Sequence, residues 1–153
     1  MLNEYLSSCH LLVFKGLLQQ DDRKDLPMAE PGSLLPDLPT GLSASEVRLT
    51  SEDQPHQIQD AFREAFASGN RKVGGLLSIP KELETKHLEE AFLSLRILDV
   101  CIGPDRQGGI YFLGMNAFAP EHFPIDWQEA RIAKQHIRRL GDHKKILYRL
   151  PAL

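Results

Sequence analysis

The stretch from Ile97 to Phe118 sets the tightest limit on what this chain can fold into. Two apolar runs, Ile-Leu-Asp-Val-Cys-Ile and Ile-Tyr-Phe-Leu-Gly-Met, flank Gly103-Pro104-Asp105-Arg106-Gln107-Gly108-Gly109. β-Branched and aromatic residues favour extended backbone, and Gly, Pro and Asp favour reversals. The stretch therefore predicts a β-hairpin near the centre of a sheet. An isolated hairpin is not stable in water, so the rest of the chain has to pack strands and helices around it.

The flanking segments supply them. Leu2, Tyr5, Leu6, Cys9, Leu12, Val13 and Leu17 recur at intervals of three and four, which predicts a helix over 1–19. Leu11 to Phe14 fits a short strand as well, and length favours the helix. Residues 20–43 hold Pro27, Pro31, Pro36 and Pro39 and read as an irregular strap. Such a strap can act as a tether, a lid or a docking arm, and a helix carried on it is a candidate for exchange between subunits. Residues 45–50 alternate like a half-wet strand. Ser51 and Gln54 offer a capping box for a helix burying Ile58, Ala61, Phe62, Ala65 and Phe66, closed by Gly69.

Residues 72–79 predict a second strand, in which Gly74-Gly75 marks either a bulge or a close approach by another element. Pro80 then opens a helix with Leu83, His87 or Leu88, Ala91, Phe92 and Leu95 inside. Beyond the hairpin, Asp126 and Glu129 suit a capping box before Trp127, Ala130, Ala133, Ile137 and Leu140, and Gly141 ends that helix. Residues 144–150 form the last strand. The expected fold is α+β: a mixed sheet of about five strands covered by helices, in the order α-β-α-β-α-β-β-α-β, a ferredoxin-like or related sandwich. All of 1–153 is expected to form one domain, the 1–19 helix and the 20–43 strap preceding a 44–153 core.

Composition narrows the function classes. A net charge of −3 with 42% hydrophobic residues excludes wholesale disorder and a strongly cationic nucleic-acid coat. No apolar run approaches the ~18 residues of a membrane span, and the N-terminus lacks a basic n-region with a cleavage site. Cys9 and Cys101 each sit in an apolar run, which predicts reduced, buried thiols and a cytoplasmic protein.

Candidate chemistry is thin. The 103–109 turn can offer backbone N–H groups to an anion, with Arg106, Gly108, Gly109 and Tyr111 as ligand-binding candidates, although it leads into a strand and not a helix. Asp99, inside an apolar run, and Asp105 and His122 are weak catalytic candidates. The histidines show neither HxH nor HExxH spacing and no cysteine is suitably placed, so no metal and no cofactor are expected.

Charge is segregated. From Ile125 onward Arg131, Lys134, Arg138, Arg139, Lys144, Lys145 and Arg149 outnumber Asp126, Glu129 and Asp142, whereas Asp21 to Asp60 holds nine acids against three bases. Without a catalytic spacing, these features predict a small interaction or regulatory protein without catalytic activity. It would dock a protein partner or a second copy of itself through Arg131, Lys134, Arg138, Lys144 and Lys145, through the acidic strap, or through both. One alternative is a small-molecule-binding domain or enzyme, its site between the 103–109 turn and the 119–125 loop. Another is nucleic-acid binding by the basic C-terminal region, disfavoured by the overall acidity.

Overall fold

The computed structural model describes residues 2–16, 35–124, 126–127 and 131–153. In chain order it contains helix α1 (Leu2–Leu6), strand β1 (Cys9–Lys15), β2 (Ser43–Arg48), α2 (Gln54–Ala67), β3 (Lys72–Leu76), α3 (Thr85–Ser94), β4 (Val100–Pro104), β5 (Ile110–Met115), a 3₁₀ turn at Pro120–His122, α4 (Ile132–Asp142) and β6 (Leu147–Arg149). The six strands form a mixed sheet in the order β2-β1-β3-β5-β4-β6. β1 is parallel to β2 and β3, and β4 is parallel to β6. β5 is antiparallel to both of its neighbours. The expected α+β class with helices covering a mixed sheet is observed, and the predicted hairpin, β4 and β5, lies beside β3 within it.

The N-terminal expectation is corrected. The predicted 1–19 helix ends at Leu6, and Cys9–Lys15 is a strand. β1 is flanked by β2 and β3, and its residues divide between two cores. Leu12 and Phe14 face one side, Cys9, Leu11 and Val13 the other. A strand covered on both faces has no polar alternation, so its unbroken apolar run imitates a buried helix.

One core lies under α2 and α4, where Ile58, Phe62, Ala65, Ile132, Ala133 and Leu140 meet Leu113 and Met115 of β5. The other lies under α1 and α3, where Leu6, Leu88, Ala91 and Phe92 meet Leu76, Cys101 and Phe112. Gly74-Gly75 is no bulge, since β3 pairs continuously with both neighbours. A Cβ on Gly74 would lie 2.5 Å from Phe112 Cζ, and one on Gly75 would lie 2.7 Å from Phe14 Cε2. The glycines make room for aromatic rings on both faces.

Helix ends differ in detail from expectation. α2 is capped by Asp53, whose Oδ1 accepts from the His56 N–H, and not by Ser51. Gly69 closes that helix at φ +104° as expected. α3 starts at Thr85, where the Glu84 N–H donates to His87 Nδ1 at 2.9 Å. α4 starts at Ile132, and Glu129 and Ala130 lie outside the described residues, as does most of the strap. The strap's far end is tied down, with Leu35 and Leu38 against the α3-side core and Thr85 Oγ1 donating to the Asp37 carbonyl at 2.6 Å. Both cysteines are free and buried, and burial pushes the Cys101 thiol up to about 12. Among the described residues no helix is long and apolar enough to cross a membrane.

Candidate functional site

In open α/β sheets ligands sit outside the carboxyl ends of the parallel strands, where the chain crosses from one side of the sheet to the other. Here that point is β1. The chain goes from β1 outward to β2, then returns past it to β3. The carboxyl edge therefore gathers Lys15 at the end of β1 and Gly16 after it, Leu49 and Thr50 after β2, Leu77 and Ser78 after β3, and the 105–109 turn after β4.

The contacts along this edge are well defined. Gly16 has φ +91°, and a Cβ there would lie 2.9 Å from the Leu49 carbonyl oxygen, so only glycine fits. The Leu49 N–H donates to the Lys15 carbonyl at 2.8 Å. Gln54, the first residue of α2, donates through Nε2 to the carbonyls of Gly16 (2.9 Å) and Thr50 (3.0 Å), clamping the two loops together. Lys15 Nζ stands 3.6 Å from Glu46 Oε2. Across the edge, an Arg106 Nη lies 3.9 Å from Glu82, just ahead of α3. The Ala133 N–H, in the first turn of α4, donates to the Gly108 carbonyl at 3.0 Å. Thus α2, α3 and α4 all begin at this edge, and the partial positive charge of their N-terminal turns favours an anion there.

The turn itself is held by Asp105. Its Oδ1 accepts from the N–H groups of Gln107 and Gly109, both at 2.8 Å. The Asp105 N–H donates to the Gly109 carbonyl at 2.9 Å, and the Arg106 N–H to the Leu153 carbonyl at 3.0 Å. Those donors point inward, so the turn is not an open anion cradle, and the Arg106 side chain, which is exposed, is the group it presents. Replacing Asp105 with alanine is expected to lower stability by about 1–2 kcal/mol, because two N–H groups lose one acceptor, while Asp105→Asn costs less. Urea unfolding of the two variants checks the ranking.

The remaining residues singled out from sequence lie elsewhere. Tyr111 is fully buried on β5, its hydroxyl donating to the Pro151 carbonyl at 3.1 Å. Asp99 precedes β4 and His122 follows β5, so both leave the hairpin at the end opposite the turn. Asp99 Oδ2 accepts from the Ile146 N–H at 2.8 Å. His122 is buried, and burial, with Lys145 nearby, holds its pKa below the usual histidine value. The 103–109 turn and the 119–125 loop therefore do not share one site. Arg131, Lys134, Arg138 and Lys144 are exposed, and Lys145 Nζ lies 3.8 Å from Glu121. Lys15 and Gly16 had no linear motif to mark them beyond the Gly after a polar-ended apolar run, and Gln54 was marked only as the partner of Ser51 in a capping box. Among the described residues no three His, Cys, Asp or Glu side chains converge as a metal-binding set.

Residues 18–128 match the family DUF2064, described as uncharacterized proteins conserved in bacteria. The chain belongs to this family. No curated protein matches it. Among solved structures, a similar one is the crystal structure of a protein from Desulfovibrio desulfuricans G20, named provisionally as a nucleotide-diphospho-sugar transferase. The two share 18% identity and a TM-score of 0.66 over 95% of this chain and 80% of that chain. The likeness is one of fold.

Together, the family match and this likeness overturn the expectation of a non-catalytic, partner-docking or regulatory protein. The small-molecule alternative accords with them better. The charge asymmetry that prompted the docking idea has a local account: the cations on the outer face of α4 are solvated, and Arg139 donates to the carbonyls of Glu121 and Phe123.

Proposed function

We propose that this protein is an enzyme that binds a nucleoside diphosphate-sugar across the carboxyl edge of its sheet and takes part in transfer of the sugar. The supporting observation is that three helix N-termini, Lys15 and Arg106 lie along this one edge, at the crossover of a sheet that resembles a sugar-nucleotide transferase in fold. A diphosphate carries charge that develops further on its leaving oxygen when the bond to the sugar breaks. Fixed positive groups aimed at that oxygen lower the barrier. Lys15 and Arg106 now face Glu46 and Glu82 in partly or fully solvated pairs, which are worth roughly 0–1 kcal/mol and are readily exchanged for a diphosphate. Unpaired, buried thiols agree with a reducing compartment, and we place the protein in the cytoplasm.

Calorimetric titration with a panel of nucleoside diphosphate-sugars, with and without Mg²⁺, tests the proposal. Saturable binding is expected to at least one of them, weakened about tenfold by Lys15→Ala or Arg106→Ala, the loss of one charge-assisted contact. Absence of binding to every member of the panel, in both conditions, refutes it.

A further inference from the structure

The opposite edge of the sheet carries a second concentration of positive charge. Glu4, Tyr5, Ser8, Arg71, Lys72 and Arg96 line an open cleft of about 540 Å³. They come from three places that the topology brings together: the α1–β1 junction, the start of β3, and the chain just past α3. The backbone fixes them to one another. The Arg71 N–H donates to the Ser8 carbonyl at 2.8 Å. The Arg96 guanidinium sits 5.2 Å over the Tyr5 ring, and the Tyr5 hydroxyl donates to the Phe92 carbonyl at 2.6 Å.

None of Arg71, Lys72 and Arg96 has a carboxylate at ion-pairing distance among the described residues, and Glu4, in the same lining, pairs with none of them. Three like charges held around one cleft repel each other, and the stacking of Arg96 on Tyr5 offsets that only in part. Their arrangement is all the more pointed in a chain of net charge −3. Two guanidinium groups and an ammonium are the donor types that bind a phosphate group, and their charge complements it. The cleft volume falls within the roughly 300–1,000 Å³ of small-molecule sites, so there is room for an organic group attached to the phosphate.

We infer that this cleft binds a small phosphate-bearing anion, a phosphomonoester or diphosphate, at a site separate from the carboxyl edge. Lys72 opens β3 at the amino edge while Leu76 closes it at the carboxyl edge, roughly 13 Å away at strand rise. One bound anion therefore cannot occupy both places.

The test is an NMR titration of the ¹⁵N-labelled full chain with two probes, inorganic pyrophosphate and glucose 1-phosphate. Saturable shifts are expected at the amides of Ser8, Arg71, Lys72 and Arg96 for at least one probe. The exposed-site variant Arg71→Gln/Arg96→Gln should weaken binding at least about tenfold, and Lys86→Gln, on the outer face of α3, should leave it unchanged. Shifts confined to the surroundings of Gly16 and Arg106, no saturable shift with either probe, or unchanged affinity in the double variant would overturn the inference. It stands or falls apart from the sugar-nucleotide proposal: Arg106→Ala is expected to weaken sugar-nucleotide binding and to leave these shifts intact.

Discussion

Gly74→Val is expected to destabilise the protein by about 3 kcal/mol, at the upper end of what overpacking a core costs. Already a Cβ at this position would lie 2.5 Å from Phe112 Cζ and 2.9 Å from Phe92 Cζ. These atoms are ring tips, and an exposed ring would swing away. Phe92 and Phe112 cannot, because both are completely buried and pack edge to face with centroids 6.0 Å apart. Relief therefore has to come from β3 moving off β5 or α3 lifting from the sheet, and either breaks close packing elsewhere. Gly75→Val acts on the opposite face, against Phe14 and Phe62, and is expected to be comparably costly. Gly141→Ala is the contrast. It lies in α4 with nothing within 4 Å of its would-be Cβ, so there alanine should add about 0.5–1 kcal/mol through helix propensity. Equilibrium urea unfolding of the three variants decides the matter. A Gly74→Val midpoint equal to that of the unsubstituted chain would refute the packing account.

The same glycines show how far the sequence could be read. Gly74-Gly75 was legible as a place where something approaches the strand closely, but the approaching rings come from positions 14, 62, 92 and 112, and only the fold makes them neighbours. The hairpin was legible because its signal is local: two β-prone runs and a turn whose Asp105 and glycines meet across seven residues. β1 was misread for the opposite reason. Its identity depends on being covered on both sides, a property of the whole sheet and not of the run Leu11 to Phe14. Helices α2 and α3 were legible from period, whereas their start residues moved by a few positions, since Asp53 and Glu84 cap where Ser51 and Pro80 were the expected start.

The candidate site was mostly out of reach for a related reason. Of the carboxyl edge, the sequence pointed to the 103–109 turn, because Gly-rich turns announce themselves. It did not point to Lys15 or Gly16, and it offered Gln54 only as a capping partner of Ser51; the three become a unit when β1 and β2 pair and α2 closes over them. Likewise Arg71, Lys72 and Arg96 are scattered in sequence, and strand order alone gathers them. The reading of the basic C-terminal region went wrong by treating charge count as function. Seven cations along a segment say little until it is known which ones face water, which bind carbonyls and which meet a carboxylate.

Acidification from pH 7 to pH 4 is expected to remove about 3 kcal/mol of stability through His136 alone. The residue is buried on α4, and its Nε2 lies 2.7 Å from the His122 carbonyl oxygen, so Nε2 carries the proton and donates. Burial is the main cause that lowers its pKa to about 4, and the nearby Arg139 and His122 act in the same direction, against the hydrogen bond to His122. In the unfolded chain the imidazole takes up a proton near pH 6.5, while in the fold it stays neutral down to about 4. Within that window the unfolded state holds more protons, so stability rises with pH. The contribution is whole above about 6.5 and is lost as pH falls toward 4, at up to ~1.4 kcal/mol per pH unit. His122, lowered by its own burial, adds in the same sense. Carboxylates also titrate at the acid end, so the comparison is with His136→Gln, which keeps an N–H donor and has no proton to gain. Urea unfolding of both proteins at intervals from pH 7.5 to 4 should show the unsubstituted chain falling more steeply from about pH 6.5 downward. Two curves that run parallel across this range would mean that His136 accepts its proton equally well in the folded core, and that the described burial of its ring is wrong.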